Sequence, residues 1–130
     1  MNRERMLELA DYIEDLEYVR YDDIGSRDWN ADRSPIATHF NMIQWAAECE
    51  CGTVCCIGGA AEIMAGTGPG TASKVLGLHG FNESALFHPP NRLDWDVITP
   101  EIAADALRKL ANGEITLTER FWFDILNIKP

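Results

Sequence analysis

A chain of 130 residues, 46% hydrophobic and 25% charged, is long enough to bury one core without staples and too apolar to stay disordered. Its net charge of −10 lies mostly over the N-terminal two-thirds: residues 1–33 hold ten acids against five bases, residues 34–100 six against two, and residues 101–130 five against four. Such a surface repels phosphate backbones, which argues against direct nucleic-acid binding, and suits a basic protein partner; the plainer reading is a solvated face that keeps the chain soluble.

No stretch approaches the ~18 apolar residues that a bilayer span needs. The N-terminus, MNRERMLELADYIEDLE, is charged throughout and lacks a signal-peptide apolar region. The expectation is a cytoplasmic protein with no membrane partner, in which four cysteines are thiols or metal ligands rather than disulfides.

Residues 3–20 carry an amphipathic helix pattern, with Met6, Leu9, Ile13 and Leu16 on one stripe and Glu8, Asp11, Glu14, Asp15 and Glu17 opposite; Asn2 is the N-cap. From 21 to 38 periodicity fails, and Pro35 blocks helix continuation. A connection this long marks a loop insertion. Its Asp22, Asp23, Asp28 and Asp32, with Glu14 and Glu17 before it, are candidate binding residues. Trp29 is either an interface anchor or a side chain folded back onto the core.

Asn41 reads as the cap of a short helix over MIQWAAE, with Phe40 and Trp45 at the two positions of a hydrophobic staple. A second helix is expected from Val54 to Ala65, capped by Thr53 and ended by Gly66, with Ile57, Ala61 and Met64 inward. Gly58 and Gly59 each cost about 1 kcal/mol of helix propensity, so close approach of another backbone, from the first or last helix, should offset them. Short helices follow near 72–78 and 83–88, then an extended piece at 94–98. Thr99-Pro100-Glu101 starts a further helix with Ile102, Ala106, Leu107 and Leu110 inward, stopped at Asn112-Gly113. A last turn within 118–126 brings Phe121, Trp122 and Phe123 to close the core.

Three chemistries can be weighed. Cys49, Cys51, Cys55 and Cys56, with three histidines, are enough for a zinc site, but the spacing C-x-C-x₃-C-C has no paired knuckle. Cys55 or Cys56, in the first turn of a helix, would have a lowered thiol pKa and could act as a nucleophile with His79 or His88 as base and Asn91 or Asp94 behind it; the plain alternative is two small buried hydrophobes. GTGPG at 66–70 looks superficially like a phosphate loop but lacks the GK[ST] ending, and Pro69 removes one donor.

At FNMIQWA, CGTVCCIGGAA, VLGL and SALFHP the chain resembles small, largely uncharacterised proteins of phages and prophages. Their pattern falls here on Phe40, Asn41, Met42 and Trp45; on Cys51, Gly52, Thr53, Cys56, Gly59 and Ala61; and on Leu76, Gly77, Leu78, Ala85, Leu86, Phe87 and Pro89. The resemblance implies a mobile-element origin and action in the host cytoplasm, and no set reaction. Cys49 and Cys55 fall outside its pattern, which weakens the four-cysteine zinc reading and leaves Cys51 and Cys56 as packing thiols or a reversible pair.

Together these readings describe one mainly α domain over 1–130, a compact bundle of short helices around a central Gly/Ala-rich helix, with at most a minor β hairpin. Phe40, Trp45, Cys51, Cys56 and Gly59 are structural. The function expected is non-catalytic, without cofactor: an acidic phage-type protein that binds a host protein, such as a basic nucleic-acid-binding defence effector, in the manner of an anti-CRISPR. The alternatives are a small cysteine hydrolase and a zinc-stabilised accessory protein.

Overall fold

The computed structural model describes residues 1–28 and 34–129. Its first helix, α1 (Arg3–Glu14), starts as the sequence requires: the Asn2 side chain accepts from the Arg5 amide at 3.1 Å. Met6, Leu9, Ala10 and Ile13 are buried along one face. The helix stops short of the pattern that ran to 20, because Glu17–Tyr18 leaves the axis to form a strand, β1.

That face of α1 packs on α5 (Pro100–Ala111), where Ala103, Ala106, Leu107 and Leu110 are buried and Ile102 is only partly so. Thr99 Oγ1 accepts from the Ile102 amide at 3.3 Å, so cap and Pro100 act as expected. Alanines on α5 allow close approach. Ion pairs and hydrogen bonds close its edge: the Arg108 guanidinium donates to Asp11 and Glu14 of α1, and Arg3 donates to the carbonyl of Ala111 and to Asn112 Oδ1. The Arg3 contacts also satisfy a carbonyl at the end of α5.

The mainly-α expectation fails at a five-stranded mixed sheet. Besides β1 it comprises β2 (Arg27–Asp28), β3 (His39–Phe40), β4 (Ala47–Cys49) and β5 (Gly52–Cys55), in the order β1-β3-β5-β4-β2. β1, β3 and β5 are parallel neighbours, while β4 runs antiparallel to β5 and β2 antiparallel to β4. The expected helix over MIQWAAE is absent. Phe40 lies in β3, Trp45 in the connection after it, and Ala47 opens a hairpin in which Ala47 faces Val54 and Cys49 faces Gly52, so no hydrophobic staple forms. The second helix correspondingly begins at Ile57 rather than Val54, and Thr53 pairs across the hairpin with Glu48 instead of capping. Thr53 and Val54 are β-branched and are claimed by the strand.

This helix, α2 (Ile57–Ala65), is the buried centre of the molecule: Ile57 through Ile63 are all buried. It ends at Gly66 in the left-handed region at φ 68°, as its sequence required. Its glycines are explained, but not by a neighbouring helix. A Cβ on Gly58 would fall 2.0 Å from Cη2 of Trp45, and one on Gly59 would fall 2.8 Å from the backbone nitrogen of Ala46. The connection between β3 and β4 therefore lies directly on α2, and glycine is what lets it. Around this centre stand α3 (Ala72–Leu76), α4 (Phe81–Phe87), a 3₁₀ turn at Trp95–Val97 in place of the extended piece expected at 94–98, and α6 (Phe121–Leu126). Phe121, Trp122 and Phe123 are buried, and Trp122 Nε1 donates to the Leu86 carbonyl at 3.0 Å, docking α6 on α4.

Gly59→Ala tests the close approach. Alanine gains about 1 kcal/mol in helix propensity, yet its methyl group meets immovable backbone, so the variant should be less stable than the parent by about 1–2 kcal/mol in urea unfolding. Gly68→Ala, where nothing lies within 4 Å, is the control and should stay near the parent. A Gly59→Ala protein as stable as the parent would remove the packing argument.

Candidate functional site

The four cysteines do not converge. Cys49 is half-buried on β4, Cys51 is exposed in the hairpin turn, and Cys55 and Cys56 are buried, none of them in a disulfide. Among the described residues, no group of three or more His, Cys, Asp or Glu could hold a metal ion. Cys51 and Cys56 likewise stand apart, one at the hairpin tip and the other at the start of α2, with no disulfide between them.

The nucleophile reading placed Cys55 or Cys56 in a first helical turn that would lower its pKa. Cys55 is instead in β5, its thiol directed at the His39 carbonyl at 3.8 Å. Cys56 occupies the N-cap of α2, where the amides of Gly58 and Gly59 do favour thiolate, but burial outweighs them and pushes the thiol up to about 11. A group that is sealed and protonated at neutral pH cannot attack a substrate. His79 and His88 are both exposed, His79 between α3 and α4 and His88 at the end of α4, and neither shares a described hydrogen bond with a cysteine.

A residue that the sequence reading passed over occupies the centre. Glu62 is fully buried in α2. Its Oε1 accepts from Trp45 Nε1 at 3.1 Å, and its Oε2 accepts from the amides of Gly70 (2.8 Å), Thr71 (3.2 Å) and Ala72 (3.3 Å). The end of the 66–70 loop and the first residues after it, 70–72, therefore cradle an anion, but the anion group is the protein's own side chain. One signal was present: a lone acid in a helix otherwise built of small and apolar residues must find partners if that helix is buried.

A second polar knot joins the start of the insertion to the chain near 96. Asn41 is fully buried, with Nδ2 donating to the Val19 carbonyl and to Asp96 Oδ1, and Oδ1 accepting from the Ile43 amide. Tyr18 donates its hydroxyl to Asp96, and burial with the adjacent carboxylate pushes that phenol up to about 12. Asp96 Oδ1 also accepts from the Tyr21 amide at 3.0 Å. These groups are consumed by structure, and Asp96 is no free general base.

Of the acidic candidates, Asp22 and Asp23 are exposed on a 3₁₀ turn, Tyr21–Asp23, and Asp28 is exposed on the edge strand β2. Glu17 is exposed on the opposite edge strand, 3.3 Å from His39 Nε2. Glu14 is held below the usual carboxylate range by the Arg108 guanidinium, so it serves the α1–α5 contact. Trp29 and Asp32 lie outside the described residues. The turn is firmly seated: Arg27 lies 4.5 Å over the Tyr21 ring and donates to the Tyr21 carbonyl, while its Nε donates to buried Gln44.

Two measurements check this arrangement. Under native conditions at pH 8, iodoacetamide followed by mass spectrometry should modify Cys51 first and leave Cys55 and Cys56 untouched until denaturant is added; native labelling of Cys56 would reopen the nucleophile. Glu62→Gln keeps shape but turns an acceptor into a donor facing N–H groups, which should cost about 1–3 kcal/mol of stability; an unchanged melting curve would deny Glu62 its central role. Compared with family models, with curated proteins and with solved structures, the chain matches none.

Proposed function

We propose that this chain is a non-catalytic binding protein of phage or prophage type. Its acidic N-terminal surface engages and modulates a basic host protein, with a nucleic-acid-binding defence effector as the partner class. The observation that carries the reading is the seating of Asp22 and Asp23: both are exposed, on a turn fixed by Asp96 below and Arg27 beside it. Preorganised carboxylates of this kind steer a positively charged partner and set register with little ordering cost at binding. The phage-like strings at residues 40–45 and 51–61 support the biological setting. The sealed Cys56 supports a role by binding rather than by covalent chemistry.

The test is affinity capture from bacterial lysate at about 50 mM and about 300 mM salt, using the parent chain and Asp22→Lys/Asp23→Lys. A specific basic partner should be recovered at low salt, weakened at higher salt and lost at least tenfold in the double variant. Capture of the same partner by the double variant at undiminished yield, or no specific partner at either salt, would end the proposal.

A further inference from the structure

The four cysteines fall into two pairs by environment. Cys55 and Cys56 belong to the apolar core, where they serve as small packing groups. Cys49 and Cys51 lie outside that core, at the tip of the β4–β5 hairpin, one half-buried and the other exposed. The Cys49 thiol donates to the Ala47 carbonyl at 3.6 Å, the weak bond that a thiol makes. Two thiols at a strand end in contact with solvent contribute reactivity rather than packing.

The hairpin brings these two together. Cys49 and Gly52 face each other across it, so Glu50 and Cys51 are its two turn residues, and the thiols occupy the first and third positions of a tight turn. Two residues of extended chain span about 7 Å at most, and a turn shortens that reach into the roughly 4.4–6.8 Å between Cα atoms that a disulfide bridges. Burial raises the Cys49 thiol, and charge on Cys51 raises it further, so the two sulfurs sit within electrostatic range of each other. Glu48 acts in the same direction, and Arg27, in register with Cys49 on β2, acts against it. The difference in exposure divides the roles: an accessible thiol meets an oxidant first, and a sheltered neighbour resolves the product.

We propose that Cys49 and Cys51 form a redox-active dithiol site that exchanges with small disulfides of the glutathione class. The Cys51 thiolate attacks one sulfur of glutathione disulfide, breaking its S–S bond, forming a mixed disulfide and releasing one glutathione thiolate. The Cys49 thiolate then attacks the Cys51 sulfur, forming the Cys49–Cys51 bond and releasing the second glutathione. The two cysteine protons pass through solvent to the two departing thiolates; the cysteine pair loses two electrons and the glutathione disulfide gains them. A bridge closing so small a ring is strained, which makes it a labile, reversible bond rather than a structural one. The site needs no protein partner and is independent of the acidic surface.

The test incubates the folded full-length chain with glutathione disulfide, quenches with acid, alkylates and maps the products by mass spectrometry. Cleavage after Glu50 separates Cys49 from Cys51 unless a bridge joins them. The parent should lose two hydrogens, carry the Cys49–Cys51 bridge and retain little glutathione; dithiothreitol should return both cysteines to alkylatable thiols. Cys49→Ser should retain at least about tenfold more glutathione than the parent, all of it on Cys51, because nothing resolves the mixed disulfide. Cys51→Ser should take up none. Both substitutions lie outside the core, and the parent's own product decides the question without them. The proposal is overturned if the parent keeps glutathione on Cys51 without bridging, if the bridge forms instead to Cys55, to Cys56 or between two copies of the chain, or if no cysteine of the folded protein reacts.

Discussion

One buried carboxylate sets the arrangement of everything near the middle of the chain. Glu62 has no access to water, so its oxygens must be met by donors from the protein, and those donors come from two separate segments of the chain. The amides of Gly70, Thr71 and Ala72 bring the start of α3 onto α2, and the indole of Trp45 brings the β3–β4 connection onto it. The same indole covers Gly58 and meets Phe87 edge-on at 5.6 Å. Carboxylate and indole together thus align the sheet, α2, α3 and α4. A pairing of this type selects one arrangement among several apolar ones, because any other would strand the acid.

The sheet depends on this framework in turn. Strands of two to four residues cannot hold together alone, and here side-chain ties supplement the ladder. Asn41 links β1's exit to the segment at 96, Glu48 accepts from the Ser34 amide and the Thr53 hydroxyl, and Tyr12 of α1 accepts from the Ala37 amide. The consequence for function is mechanical. Residues 21–28, which composition alone would leave as a loose loop, are pinned at Tyr21 and Arg27, so their carboxylates project from a fixed base.

Charge is divided in the same way. The net acidity is spread over the N-terminal two-thirds of the chain, and part of it is spent internally, on Arg108 by Asp11 and Glu14 and on His39 by Glu17. After α4, Arg92 lies over the Phe123 ring, and Arg120 at the start of α6 pairs with Asp124.

Local chemistry read directly from the residues was enough wherever one element carried its own start, stripe and stop. Asn2 and Thr99 cap α1 and α5, Gly66 and Gly77 end α2 and α3, and the aromatic run at 121–123 is buried, all because caps, left-handed glycines and helical periodicity act within a few residues. The strands escaped because two to four residues are too few to display alternation, and because the pairing that makes Glu17–Tyr18, His39–Phe40 and Thr53-Val54 extended is supplied by partners distant in the chain. The tertiary structure alone decided the fate of Cys56, whose position at a helix start favours thiolate while its burial forbids it. It alone decided that Glu62 is a structural acceptor, and that Arg92 and Arg120 share a hollow. Burial and long-range contact are properties of the assembled core, and no window of neighbouring residues contains them.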